Sequence, residues 1–220
     1  MLRTRSAVLG LALLVSGACV GRGCFQSQTP PYPQWQRVTE ADGREYRVVE
    51  RGAYRAFYDP SGRPQRIEFD SNDDGKADHI AYHDGAEKAQ RLEIDTDFDG
   101  RIDRWEHYDR EGRLLKVGSS RRGGTPERWA HLGPDSLPVR MEYDSDRDGR
   151  IERVEVFEAG RLVRVETDAD RDGRVDRWQD WRSGLLGAED FDTDGDGKPD
   201  RRLRYGTNGE VETFEPLKKE

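Results

Sequence analysis

The 220-residue chain is short of apolar material: only 33% of it is hydrophobic, against 37% charged. That is low for a globular domain and would by composition lean towards disorder. It has two cysteines, Cys19 and Cys24, both near the N-terminus. The apolar run Ala7 to Val15 is too short to span a bilayer. No Ser-His-Asp pattern, nucleophile elbow or phosphate loop is readable. The net charge of −8 disfavours nucleic acid as a partner, because that affinity depends on Lys and Arg against phosphates.

What is present is a nine-residue pattern, Asp-x-Asp-x-Asp-Gly-x-x-Asp. It occurs as Asp95, Asp97, Asp99, Gly100, Asp103; as Asp168, Asp170, Asp172, Gly173, Asp176; and as Asp192, Asp194, Asp196, Gly197, Asp200. Two near-copies are Asp70, Asn72, Asp74, Gly75, Asp78 and Asp144, Asp146, Asp148, Gly149, Glu152. Carboxylates folded this close repel: two like charges ~4 Å apart cost ~1 kcal/mol in water and ~4 kcal/mol at an effective dielectric of 20. A hard divalent cation removes that penalty, and calcium takes six to eight oxygens from carboxylates, carbonyls and water. The glycine permits a sharp turn. The seventh position, always basic (Lys76, Arg101, Arg150, Arg174, Lys198), is expected to offer its carbonyl as a ligand while its side chain points outward. A single copy would leave an acidic solvated turn as a competing reading. Five in register point to Ca2+.

The loops begin at 70, 95, 144, 168 and 192, so the 49-residue step hides a further unit near 119. Gly124, Glu127 and Trp129 align there with Gly100, Asp103 and Trp105, but Ser119, Arg121 and Gly123 fall at the first three ligand positions, so no metal is expected. A ligand-free unit fits from about Glu45 to Phe69. The fold expected is all-β: about seven tandem hairpin units of 24–25 residues, forming an antiparallel meander or an open superhelical sheet. Segments entering the loops alternate polar and apolar, as in Arg91-Leu92-Glu93-Ile94, and Gly turns such as Tyr108-Asp109-Arg110-Glu111-Gly112-Arg113-Leu114 return the chain.

Residues 1–18 read as a signal peptide, with Arg3 and Arg5 before the apolar run. Its end, Val15-Ser16-Gly17-Ala18-Cys19, resembles a bacterial lipobox. The resemblance implies cleavage before Cys19, lipidation of its thiol and membrane anchoring. The alternative is ordinary secretion, with Cys19 and Cys24 free to pair in an oxidising compartment. Cleavage would remove two Arg and no acid, taking −8 to −10. Residues 19–44 read as a flexible tether and 45–220 as the repeat domain.

The Tyr-Asp-x-x-Gly-Arg-Leu turn resembles the YD (Rhs-type) repeat of bacterial surface and toxin proteins. The acidic loop resembles the calcium loops of FG-GAP hairpins, thrombospondin type 3 repeats and EF-hands. Residues 144–156 fit the EF-hand motif through Glu155 at the twelfth position, where Glu106 also falls in its own loop; the β-type flanks argue against the EF-hand's helices. His107 and His131 occupy equivalent places and raise a zinc reading, although two His without a third strong ligand fit surface positions on a strand better. Trp105, Trp129 and Trp178 recur at one repeat position, suited to packing or to sugar rings. The expectation is therefore a non-enzymatic, calcium-binding, lipid-anchored extracytoplasmic protein of a bacterial outer membrane or cell surface. Its expected role is structural or adhesive, towards a surface protein or polysaccharide. The alternative is a carbohydrate-binding module or carbohydrate-active enzyme using the Trp row.

Overall fold

A computed structural model describes residues 35–217, which form one sixteen-stranded sheet whose strands follow each other in chain order. They are β1 (Trp35–Thr39), β2 (Glu45–Arg51), β3 (Tyr54–Tyr58), β4 (Pro64–Phe69), β5 (His79–His83), β6 (Ala89–Ile94), β7 (Arg104–Tyr108) and β8 (Leu114–Ser119). Then come β9 (Arg128–Leu132), β10 (Pro138–Tyr143), β11 (Arg153–Glu158), β12 (Arg161–Thr167), β13 (Arg177–Arg182), β14 (Leu185–Phe191), β15 (Arg201–Tyr205) and β16 (Val211–Pro216). Every neighbouring pair is antiparallel, β1 and β16 do not meet, and no helix occurs among the described residues. The protein is thus an all-β meander that does not close into a barrel. The signal peptide, Cys19, Cys24 and residues 19–34 of the tether lie outside the described residues. The sheet starts earlier than expected: Trp35 to Thr39 pair with Val49 to Glu45, so the stretch expected as tether ends in a strand.

The connections alternate between two edges. On one lie the acidic loops and the short Gly52–Ala53 link; on the other lie the Gly turns. The turns have a local cause. The Asp109 carboxylate accepts the Glu111 and Arg113 N–H groups at 2.9 and 2.8 Å and the Arg113 guanidinium at 2.7 Å, while Gly112 takes a φ of 82°. Asp59 repeats this, and the Ser61 hydroxyl with the Arg63 N–H pulls its pKa down to about 2.

One sheet must make its own core, and among the described residues only Val48, Phe57, Trp105, Val154 and Val165 are apolar and buried. Cross-strand order explains how. Glu93, Trp105, Gly118, Trp129, Glu142, Val154, Glu166, Trp178 and Asp190 stand opposite one another along β6 to β14. Strands entering the acidic loops bring a small or acidic residue, and strands leaving them bring Trp or Val. The Arg-x-Glu of the entering strands pairs within itself, as Arg66–Glu68 at 2.8 Å and Arg140–Glu142 at 2.8 Å. Its basic groups cover neighbouring rings, Arg66 3.8 Å from Phe57 and Arg91 4.0 Å from Tyr82, and in the strand without that motif Lys116 does the same 3.8 Å from Trp129. A chain of low hydrophobicity folds because charged side chains shield its apolar ones.

Candidate metal centres

Each acidic loop is shaped first by its backbone. The sixth-position glycine takes φ of 84°, 83°, 89°, 93° and 83° at Gly75, Gly100, Gly149, Gly173 and Gly197. The fourth position is left-handed too, at Asp73, Phe98, Arg147, Arg171 and Gly195, which the sequence pattern did not flag. Non-Gly residues resist that conformation by ~1–2 kcal/mol. The first-position carboxylate offsets the cost by accepting the fourth-position N–H, at 2.7 Å for Asp70, 2.8 Å for Asp95 and 2.7 Å for Asp168. It also accepts the glycine N–H, at 2.8, 2.7, 3.0, 2.9 and 2.6 Å through the five loops. The ninth carboxylate reaches back to the second position, as Asp103 does to the Thr96 hydroxyl at 2.6 Å and Glu152 to the Ser145 N–H at 2.9 Å.

Strand pairing brings successive loops together. The first-position N–H of each donates to the ninth-position carbonyl of the loop before it: Asp95 to Asp78 at 2.8 Å, Asp168 to Glu152 at 2.8 Å, Asp192 to Asp176 at 2.9 Å. Within loops, carboxylate oxygens gather within 4.8 Å of one another in four groups: Asp95, Asp97 and Asp99; Asp144, Asp146 and Glu152; Asp168, Asp170 and Asp176; Asp192, Asp194 and Asp200. Asp103 stands outside the first group, and the fifth-position Asp148, Asp172 and Asp196 stand outside the others. Asp70, Asn72, Asp74 and Asp78 form no such trio, Asn72 standing where the others carry Asp. The expected first, third, fifth and ninth set is therefore brought together only in part.

The electrostatics follow. Asp97 is pushed above its ordinary pKa by desolvation and by the charges of Asp99 and Asp103. At Asp78 burial acts upward but is outweighed by the Ser71 hydroxyl and the Ser71 and Asn72 N–H groups, so its pKa falls. Asp192 falls likewise, desolvation being outweighed by the Gly197 and Gly195 N–H groups. Hydroxyl and backbone N–H donors thus favour the charged form of Asp78 and Asp192, while at Asp97 desolvation and like charges oppose it.

At the seventh position the N–H, not only the carbonyl, has a role. Lys76, Arg101, Arg150, Arg174 and Lys198 donate it to the fifth-position carboxylate at 2.8, 2.8, 2.8, 2.8 and 2.9 Å. Several of these basic side chains lean over the next loop rather than into solvent. Lys76 covers Gly100, Arg101 covers Gly123, and the Arg174 guanidinium donates to the Gly195 carbonyl at 2.7 Å.

The unit near 119 differs from its expected alignment. Ser119 ends β8 opposite Arg104 and Arg128. Ser120 supplies the N–H to the Asp103 carbonyl, so it occupies the first position and the loop is one residue shorter. Arg122, not Arg121, takes the third place. Glu127 remains at the ninth, facing Arg147 of the next loop at 3.8 Å, and Arg147 also donates to the Gly123 carbonyl at 3.0 Å.

The EF-hand's twelfth ligand is not recruited. Glu155 pairs with Arg153 and accepts the Tyr143 hydroxyl at 3.0 Å, and Glu106 is held by Arg104 and Tyr108. The flanks are strands, as expected. His107 and His131 are separated by Lys116 on β8, two strand spacings or ~10 Å apart, so they do not form a zinc pair. His131 instead bonds Glu142 at 3.0 Å. Trp105 is buried and Trp129 lies across Gly118 beneath Lys116, so two members of the Trp row serve packing.

No protein-family model matches the sequence, and neither does any curated protein. Among solved structures, TarM is similar at 10% identity with a TM-score of 0.37, over 47% of this chain and 20% of TarM. A GtfA/B complex bound to UDP and GlcNAc is similar at 13% identity and TM-score 0.31, over 74% and 28%. A porin-like protein from Bacteroides uniformis is similar at 9% identity and TM-score 0.30, over 83% and 80%. The chain spans about a fifth of TarM's length. Likeness this distant assigns no activity.

Proposed function

We propose that the chain is a calcium-binding, lipid-anchored extracytoplasmic repeat protein with a structural or adhesive role and no catalytic centre. The observation that supports it most is the recurrence of a carboxylate trio in four loops along one edge, built on the first and third positions with the fifth in one loop and the ninth in three, each loop bonded to the one before. Oxygen-only ligands on a short loop suit Ca2+ better than softer metals. A thin sheet with few buried apolar residues gains from cations that neutralise its acidic edge. The anchor rests on the Val15-to-Cys19 boundary, and it would place this edge outside the cytoplasm, where calcium is abundant.

Calorimetric titration of the mature protein with Ca2+ and Mg2+, with ion counting by native mass spectrometry, tests the metal. We expect five calcium ions, one per acidic loop, and no tight magnesium binding. Absence of calcium heat overturns the reading. For the anchor, a Cys19→Ser chain should leave the membrane fraction; its retention there rules lipidation out.

A further inference from the structure

The loop that lost its carboxylates has gained something else. A cavity of about 580 Å³ opens beside it, lined by Ser119, Ser120, Arg121, Arg122, Arg128 and Ser145, with Glu127 and Tyr143 completing the wall. The formal charge of the loop is reversed. Residues 168–176 carry four acids and two Arg, −4 + 2 = −2, whereas 120–127 carry two Arg and one Glu, +2 − 1 = +1. Arg121, Arg122 and Arg128 are exposed, and none makes an ion pair among the described residues. Three acids nearby are already engaged: Glu127 faces Arg147 and accepts the Arg121 N–H at 3.3 Å, Asp146 pairs with Arg171, and Glu155 pairs with Arg153; Asp144 accepts the Gly149 N–H at 3.0 Å through one oxygen only.

We propose that this cavity binds the phosphate or sulfate ester of a sugar-sized molecule. Guanidinium groups present forked donors that match a tetrahedral oxyanion. Three serine hydroxyls give the donor and acceptor chemistry that sugar hydroxyls need. The volume falls in the range of small-molecule sites, ~300–1,000 Å³, and far exceeds one oxyanion. The inference does not depend on calcium binding elsewhere on the edge.

The test is calorimetry on the full chain, in excess calcium, with glucose 6-phosphate, glucose 6-sulfate, glucose and inorganic phosphate. Both esters should bind, more weakly as salt rises, and neutral glucose should not. The double variant Arg121→Gln/Arg122→Gln should weaken the esters by about tenfold or more. An Arg110→Gln control on the opposite edge should leave them unchanged. Melting curves show whether the double variant is folded; if it is not, Arg122→Lys, which keeps the charge but loses the fork, should still weaken binding. Failure of both esters to bind, or equal binding by the folded variants, overturns the site. Inorganic phosphate binding as tightly as the esters overturns the sugar-sized ligand. Loss of calcium heat with ester binding intact would sink the calcium reading alone.

Discussion

Loop 168–176 and loop 120–127 occupy equivalent places on the same edge, yet one has four carboxylates and the other has one. Their backbones agree at the points that matter. Asp168 and Ser120 each donate to the preceding ninth-position carbonyl, at 2.8 and 2.9 Å. Asp176 and Glu127 each donate to the end of the entering strand, both at 2.9 Å. Gly173 and Gly124 have φ of 93° and 89°. The turn is therefore set by strand pairing and glycine, and the carboxylates are an addition to it. In 120–127 the surviving acid is met by a guanidinium, which does part of what a cation would do in 168–176.

The largest effect should come from removing the cation. Binding to the native state alone stabilises by RT ln(1 + [L]/Kd), ~2.7 kcal/mol per site at a hundredfold excess. Several sites rival the ~5–15 kcal/mol that a whole domain has. Chelation should lower the melting temperature sharply, and hydrogen exchange should speed up in 168–176 while the amides of 120–127 change least. An unchanged melting curve in excess chelator would reduce the acidic loops to ordinary turns.

A single-site version sharpens the contrast. Asp168 is buried and accepts N–H bonds from Arg171 at 2.7 Å and Gly173 at 2.9 Å. Asp168→Asn should abolish one calcium ion and cost roughly 2–3 kcal/mol in excess calcium. The reverse change, Ser120→Asp with Arg122→Asp, should create no sixth site, because the loop is a residue short and Arg147 reaches into it. A sixth ion counted by native mass spectrometry would refute that account.

Much of this was legible in the residues. The 24-residue period gives the strand–loop–strand alternation around the loops, because Arg-x-Glu strands and Gly turns recur with it. Gly124 and Trp129 reveal the skipped unit, but the first position falls at Ser120 rather than Ser119, since a missing residue leaves no mark when the ligands are gone too. Trp35 was placed in a tether because one short strand beside a Pro-rich stretch carries no period of its own. The carboxylate grouping is less legible: Asp148, Asp172 and Asp196 sit where the pattern demands, yet they stand outside the trios of their loops. The anion cavity had a signal in Arg121-Arg122, visible only once the loop's neighbours Arg128 and Ser145 are brought beside it.

Glu189 on β14 tests whether a guanidinium suffices without any metal. Its carboxylate is buried, paired with Arg177, and accepts the Tyr205 hydroxyl and Gln179 amide, both at 2.6 Å. Burial pushes its pKa up, but the Tyr205, Arg177 and Gln179 bonds outweigh it, so the folded value lies below the ordinary one. The sign follows: this stabilisation is full above the unfolded pKa of ~4.3 and is lost as pH falls through the lower folded value. Glu189→Gln should cost about 1–2 kcal/mol at neutral pH, discounted because Arg177 is partly exposed, and should flatten the acid limb of stability. Chelator should leave both results unchanged. A variant with the wild-type pH profile would show that other acids set the acid limb.

The smallest effect bears most directly on the comparison. Gly173 and Gly124 both have positive φ, and a Cβ added at either would meet nothing within 4 Å. Alanine at either site therefore brings no clash, only the cost of holding an L-residue in the left-handed region, ~1–2 kcal/mol. If strand pairing and glycine set the turn, Gly173→Ala and Gly124→Ala should cost the same in chelator, read from denaturant midpoints at constant m. In calcium they should part. The Gly173 N–H bonds Asp168, so a shift of its backbone also moves a carboxylate of the Asp168, Asp170 and Asp176 trio. The Gly124 N–H bonds the Ile102 carbonyl at 2.8 Å and touches no trio. Gly173→Ala should then lose calcium affinity as well as stability, whereas Gly124→Ala loses stability alone. Equal costs in calcium and unequal costs in chelator would reverse the order, making the acidic loop the one whose backbone its carboxylates dictate.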